Sequence, residues 1–493
     1  MYLFLAGIAV LIAGYFTYGK FVERVIAPDD RETPAITMND GVDYLTLPKW
    51  KNMLIQLLNI AGVGPVIGVI LGIKFGAIVF VLIPIGNLIA GATHDFLAGM
   101  MSMRSKGANL PVIVKDNLGK VYYGFFSFFM SLLLLLVVAV FINIPANLFK
   151  GLDLIHNVAD DKIFWGAVVV IFLYYIAATM FPIDKIIGSV YPLFGGLLIL
   201  SSVAIFVVIL IKGFADPSLL TESVAFKELM FTAENNQPII PCLFVTIACG
   251  IISGFHATQS PIIARTMKSE REARASFYGM MVLEGLIGMI WAGAGMMIYN
   301  MHPELMKINP NSVLVRITTE FLGSAMGKIT IAGVIVLAIT SGDTAMRSLR
   351  LSLSEIFKIE QKSLWKRFAV CLPLMVIISV LLYWSNKDAK SFGVLWNYFS
   401  WGNQILAVTT LLAGSVWLQK QNKCYLIALL PAMFMSFIVF CYILWVDKSK
   451  SGPIGFGLAL HSAYILSGIL TVAAAITVYF RGKNRKSLEK TEN

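Results

Sequence analysis

Five groups of residues in this sequence carry chemistry where chemistry is costly, inside apolar runs. A charge near a bilayer centre costs roughly 2.5–3.5 kcal/mol on insertion scales, so each such residue is a functional candidate by default. His94 and Asp95 are adjacent in Asn87-Leu-Ile-Ala-Gly-Ala-Thr93-His94-Asp95, where an imidazole beside a carboxylate can relay a proton, fix a solute, or simply form a core hydrogen bond. His256 follows the pair Ser253-Gly254 and precedes Gln259, Ser260 and Pro261. Backbone amides freed at such a point, with an imidazole close by, suit a small anion such as a carboxylate. Glu284 has no cation within a helical turn, so it either exchanges a proton or stays neutral as a hydrogen-bond donor tying two helices together.

Thr340-Ser341-Gly342-Asp343-Thr344 is the richest group, and its hydroxyls and carboxylate are hard donors suited to Na⁺ or to a proton. Asp343 and Arg347 share a helical face, which offers the alternative that Arg347 neutralises Asp343. Asn403 and Gln404, with Asn397 and Asn143, are uncharged and serve either as solute contacts or as glue between helices.

What must position these residues is membrane helix. Of 493 residues, 58% are hydrophobic and 14% charged, against roughly 25% charged in soluble domains. A hydrocarbon core about 30 Å thick needs roughly 20 apolar residues per helix. Such runs fall at 2–22, 53–73, 76–101, 122–147, 163–181, 187–212, 240–265, 276–300, 328–348, 366–385, 396–418, 424–446 and 458–480, thirteen spans in all. The polar stretches 23–51 and 213–239 are too short to bury a core of their own. The opening run lacks a basic lead-in and a cleavage site, and reads as a retained helix rather than a signal peptide.

Two spans are interrupted. The second contains Gly62-Val-Gly64-Pro65-Val-Ile-Gly68, and the seventh contains Gly250-Ile-Ile-Ser253-Gly254. Broken membrane helices survive only where the freed backbone is buried or lines a cavity. Five spans separate the two starting points, so 53–212 and 240–418 read as two five-helix units, the second inverted. Paired breaks at matching positions mark a secondary-transporter site near the midplane. The helix at 1–22 and the pair at 424–480 lie outside the repeat, as peripheral support or an oligomer contact, and 481–493 is a basic tail. The expected fold class is an all-α polytopic bundle. The expected solute site comprises Gly62, Gly64, Pro65, Ser253, Gly254, His256, Gln259, Asn403 and Gln404. The expected ion-coupling set is His94, Asp95, Glu284, Thr340, Ser341, Asp343 and Thr344.

The net charge of +11 is spread among loops, which disfavours nucleic acid. Odd-numbered loops plus the tail hold 27 of the 39 Lys and Arg, the even-numbered loops 12. By the positive-inside rule the N-terminus is outside and the C-terminus cytoplasmic. The basic stretch Arg265–Arg274 and the tail are expected to touch anionic lipid headgroups. The five cysteines show no metal-ligand spacing and read as buried small hydrophobes. No P-loop, HExxH or GxSxG pattern is present, which disfavours ATP-driven transport and the common hydrolase classes.

Seven blocks in order resemble the carbon starvation protein A family of bacterial inner-membrane transporters. They are Asn39-Asp40-Gly41-Val42-Asp43-Tyr44, Ala61–Gly68, His94-Asp95-Phe96, Ser253–Ala257, Leu283-Glu284-Gly285, Asp343-Thr344-Ala345 with Arg347, and Asn403–Ala407. That resemblance implies uptake of a small nutrient such as pyruvate or peptides by proton symport. It also implies a more distant similarity to the amino acid–polyamine–cation superfamily, with its five-plus-five inverted repeat. In that superfamily, hydroxyls where Thr340 and Ser341 stand hold Na⁺, so Na⁺ coupling to a peptide or amino acid is the alternative. No organic cofactor and no enzymatic activity is expected, and the partners are a small solute and the lipid bilayer. A passive channel is the first rival; a membrane-embedded hydrolase using His94, Asp95 and His256, or a sensor, ranks below it.

Overall fold

The computed structural model describes residues 1–152, 158–180, 183–230, 237–308, 310–361, 363–387, 389–447 and 454–491. The expected units 53–212, 240–418 and 424–480 each cross residues outside this set, as does the end of the basic tail, 492–493. Helix is the regular structure of the described residues, with no strand among them. A chain this apolar has no water to bond its amides in the bilayer and must satisfy them within helices.

Among the described residues, eleven helices are long and apolar enough to cross a membrane, and up to twelve if the bent pair Lys49–Ile60 and Gly64–Phe75 is one span. The helix Ala389–Lys420, covering the expected run 396–418, stands outside that count; Asn403, Gln404, Thr409 and Thr410 on it are buried in the bundle. Exposed Phe125, Phe128, Val169, Val170 and Leu173 form part of an apolar outer belt of the kind that lipid covers. The first helix, Tyr2–Phe16, lies on the third and eighth spans, with the Phe4 and Phe80 rings 5.5 Å apart.

The two interrupted spans break where expected. The second turns 53° between Ile60 and Gly64, and Pro65, which has no amide to donate, opens a π-helical turn over Gly64–Gly68. The seventh stops at Ile251; Ile252 and Ser253 are extended, with φ of −157° and −125°, and the helix restarts over Gly254–Ala264. The two breaks pack against each other. A β-carbon at Gly64 would collide with Cys249, one at Gly68 would sit 3.0 Å from the Thr246 carbonyl, and one at Gly72 would collide with Ile247. Gly64, Gly68 and Gly72, spaced by four, therefore form a flat face that admits the helix Phe244–Ile251 at close range.

In the third span a π-helical turn at Asn87–Gly91 follows Pro84 and precedes His94, resetting the face on which His94 and Asp95 emerge. The ninth span differs from expectation. Its helix runs Pro310–Ile356, 47 residues, with a kink at Gly323, whose φ of +77° suits glycine; residues placed in a loop before 328 are thus helical.

Two further expectations are corrected. Cys424 is exposed, in the short connection before Leu426–Trp445, while the other four cysteines are buried. The basic stretch after the seventh span is committed to protein rather than to lipid alone. Arg265 pairs with Glu355 at 3.0 Å, Arg271 with Asp30 at 2.8 Å and Arg274 with Glu23 at 2.8 Å. Their partners lie far away in sequence, which a one-dimensional reading cannot see.

Candidate functional site

The third span, the restart of the seventh and the eighth span bring four of the candidates into one buried chain. His94 Nδ1 lies 2.8 Å from Asp95 Oδ1, and His256 Nδ1 lies 3.0 Å from Asp95 Oδ2. On its other side, His256 Nε2 is 3.7 Å from Glu284 Oε2. Exposure is 0% for His94, Asp95 and Glu284 and 1% for His256, so the chain is sealed from both faces. Both imidazoles present Nδ1 to the Asp95 carboxyl, and which atom carries the proton in each contact follows from the tautomer. His94 Nε2 and both Glu284 oxygens have no hydrogen-bond partner among the described residues. Unsatisfied polar atoms are rare in a low-dielectric interior and mark the site as one to explain.

The break of the seventh span is held by the eleventh. Asn403 Oδ1 accepts from the Phe255 amide at 2.6 Å, and its Nδ2 donates to Ser253 Oγ at 2.8 Å. Gln404 Nε2 donates to the Val245 carbonyl at 3.2 Å, on the near side of the break. Gly254 allows this approach, since a β-carbon there would collide with the backbone of Asn403 and Ala407. Asn403 and Gln404 thus brace the broken helix. Gln259 Nε2 donates to Thr258 Oγ1 at 2.8 Å, and Gln259 Oε1 has no hydrogen-bond partner among the described residues.

Of the Thr340–Thr344 group, Ser341 meets the second span and Asp343 the fifth. Ser341 Oγ donates to the Leu58 carbonyl at 3.2 Å, one turn before the break, and a β-carbon at Gly62 would sit 3.0 Å from that hydroxyl. Thr340 and Thr344 donate within their own helix, to Leu337 O at 2.9 Å and Thr340 O at 3.1 Å. Tyr174 OH donates to Asp343 Oδ2 at 2.6 Å, and Tyr175 OH to the Phe141 carbonyl at 3.1 Å. Arg347 donates to Asp43 at 2.9 Å and to the Ala178 carbonyl. Asn143 accepts from Asn147 and donates to Ser385 Oγ at 3.3 Å, a helix-to-helix tie.

Sequence reasoning missed Tyr174, Asp43 and the buried pair Gln56 and Asn59. The last two had a signal: Asn52, Gln56 and Asn59 fall at i, i+4 and i+7, one polar face on a helix that should otherwise be apolar. Neither polar atom of the Gln56 side chain has a hydrogen-bond partner among the described residues. A cleft of about 400 Å³ beside the break, lined by Ile251, Ile252, Ile85, Phe434 and Met435, is apolar and suits hydrocarbon rather than a polar solute.

Solved structures share this arrangement of helices at low identity. MhsT in complex with L-phenylalanine matches with a TM-score of 0.56 at 14% identity, over 89% of this chain and 99% of that one. A manganese transporter mutant of Eremococcus coleocola matches with a TM-score of 0.52 at 10% identity, over 91% and 99%. Among curated proteins, the chain is 39% identical to an uncharacterized membrane protein of Haemophilus influenzae, over 61% of this chain and 91% of the relative. It is 24% identical to the peptide transporter CstA of Campylobacter jejuni, over 88% and 78%. It is 23% identical to the pyruvate/proton symporter BtsT of Escherichia coli, over 59% and 48%. The family model for carbon starvation protein CstA matches residues 1–186, 158–322 and 311–441. On that coverage the chain belongs to the carbon starvation protein CstA family, a family of membrane transporters and not of enzymes.

Proposed function

We propose that this chain is a secondary active importer of a small carboxylate nutrient such as pyruvate, or of short peptides, driven by proton symport with alternating access. The observation that carries this reading is the sealed chain His94–Asp95–His256–Glu284, which links the third span, the break of the seventh and the eighth. A proton bound at His256 Nε2 or on Glu284 changes the charge beside the broken helix. A solute bound at that break then has a different affinity before and after protonation, which is the coupling that symport requires. The solute's carboxylate would lie against the restart of the seventh span near Ser253 and Gly254, with His256 as its partner. Movement of the close-packed pair of broken helices would open the site to one face at a time, with the odd-numbered loops cytoplasmic and the N-terminus outside.

Na⁺ coupling is the second reading. It is favoured by the meeting of Ser341 Oγ with the Leu58 carbonyl, since hydroxyl and carbonyl oxygens of two spans are Na⁺ ligands.

Uptake of radiolabelled pyruvate into proteoliposomes, with an inward H⁺ gradient, an inward Na⁺ gradient or neither, tests both readings. Accumulation with the H⁺ gradient alone is expected, and competition by unlabelled peptides would reassign the solute. Accumulation with the Na⁺ gradient alone moves the coupling to Ser341. Equilibration without accumulation overturns symport.

A further inference from the structure

The block Asn39–Tyr44 has no part in the chain above; it runs along the surface of the odd-loop face and sends one residue, Asp43, into a second buried charged cluster. Asp40 Oδ1 accepts the amides of Val42, Asp43 and Tyr44 at 2.8–2.9 Å, and Gly41 takes a φ of +68°. This tight turn directs Asp43 inward. The strand-like continuation is held by two main-chain bonds, Leu45 N to Arg265 O at 3.3 Å and Leu47 N to Thr266 O at 2.9 Å, and by Tyr44 OH to Lys106 O at 3.1 Å. Residues 39–47 form a strap across the ends of the seventh and ninth spans.

Asp43, 5% exposed, meets Arg347 Nη1 at 2.9 Å and Arg350 Nη2 at 3.7 Å. Arg265 and Arg367 stand in the same cluster at 3% and 4% exposure. A nearby carboxylate, Glu355, is committed to Arg265 at 3.0 Å and to the Asn109 amide at 3.3 Å. Asp43 thus lies among four guanidiniums. Arg350 is 0% exposed, and although Nη1 donates to Gln361 Oε1 at 2.5 Å, its Nε and Nη2 have no hydrogen-bond partner among the described residues. A guanidinium is a planar fork that a carboxylate satisfies with two parallel bonds. Tethered in its turn, Asp43 supplies Arg350 with charge at 3.7 Å but not with that geometry. A free carboxylate has no tether and can supply both.

We propose that Arg347 and Arg350 form a binding site for a small carboxylate on the odd-loop face, and that Asp43 is a built-in ligand that fills the site while the strap is docked. The site is separate from the His94 chain and does not depend on proton coupling. A carboxylate that enters it displaces Asp43 and frees the strap, so a carboxylate on this side of the membrane shifts the balance between closed and open states of that face.

The test is on the full-length protein in detergent. Asp43→Ala should lower the thermal unfolding midpoint, and sodium acetate or sodium pyruvate should restore it saturably where sodium chloride at equal ionic strength does not. Adding Arg350→Gln to Asp43→Ala should abolish that rescue. Rescue by both carboxylates identifies a general site and rescue by pyruvate alone one that reads the keto acid; either supports the assignment. Folded Asp43→Ala with no carboxylate-specific rescue, or equal rescue in the double variant, overturns it. Should Asp43→Ala fail to fold, hydrogen exchange on the unaltered protein decides. Acetate should speed exchange over 39–47 relative to chloride, and unchanged exchange overturns the proposal.

Discussion

Two of the charged clusters buried among the described residues differ in what their charges can do. The His94–Asp95–His256–Glu284 chain is made of groups that gain and lose protons, and it sits between a broken helix and two continuous spans. The cluster around Asp43 is made of arginines, which keep their charge at every physiological pH, and it sits where a strap crosses the helix ends. Titratable charge at the break suits coupling to an ion. Fixed charge at the ends suits latching a face closed and recognising an anion. The same cost of burying charge is thus spent on two different tasks.

Asp95→Asn should have the largest effect, because it removes the carboxylate that orients both imidazoles. Breaking a buried charged pair in this way costs about 3–5 kcal/mol. Proton-driven accumulation should be lost, as read by uptake into proteoliposomes, with a lowered unfolding midpoint. Tyr174→Phe removes the hydrogen bond to Asp343 and should cost about 1.5–3 kcal/mol, the range for bonds to charged groups, read in the same melting assay. If uptake then fails while stability is kept, Asp343 belongs with the coupling groups after all.

Gly64→Val overpacks the contact between the two breaks and should cost about 1–3 kcal/mol, whereas Gly124→Ala, with nothing within 4 Å of the new carbon, should stay within about 0.5 kcal/mol. Equal melting of the two variants would remove the close-packed face from the account of the fold.

The smallest effect is expected from pH on the strap. Burial alone would raise the Asp43 carboxyl, but Arg347, Arg350, Arg265 and Arg367 outweigh it and hold the group below its ordinary value. A depressed carboxylate contributes stability that is fully present above its unfolded pKa, about 3.9, and is lost only as pH falls through the folded value. Protection over 39–47, with exchange corrected for its intrinsic pH dependence, should therefore not change through Asp43 from pH 5 to 8; Glu355, which burial raises, is the neighbour that can add a change at the acid end. Transport, in contrast, should respond to pH because the proton is a transported species. A strap that loosens within that range would erase the distinction between the clusters.

Much of the frame was legible in the sequence because bilayer helices obey one-dimensional rules. Both breaks were announced by Gly62-Val-Gly64-Pro65 and Ser253-Gly254, and His94, Asp95, His256 and Glu284 stood out as ionisable residues inside apolar runs. That these four meet was not legible, since it depends on packing of the third, seventh and eighth spans and on the π-helical turn that resets the face of His94. Tyr174 was hidden because a tyrosine in a membrane helix is unremarkable until it bonds a carboxylate. Asp43 stood only as one residue of the block Asn39–Tyr44 in a polar stretch; its partner Arg347 lies some 300 residues away, and no local pattern encodes that pairing.

The most direct test of the central claim is proton movement driven by solute. Proteoliposomes holding a pH-sensitive dye, given an outside-high pyruvate or dialanine gradient and no pH gradient, should acidify inside with the unaltered protein and should not with Glu284→Gln, although that variant still exchanges labelled for unlabelled solute. Equal acidification by both would contradict a coupling role for the His94–Asp95–His256–Glu284 chain.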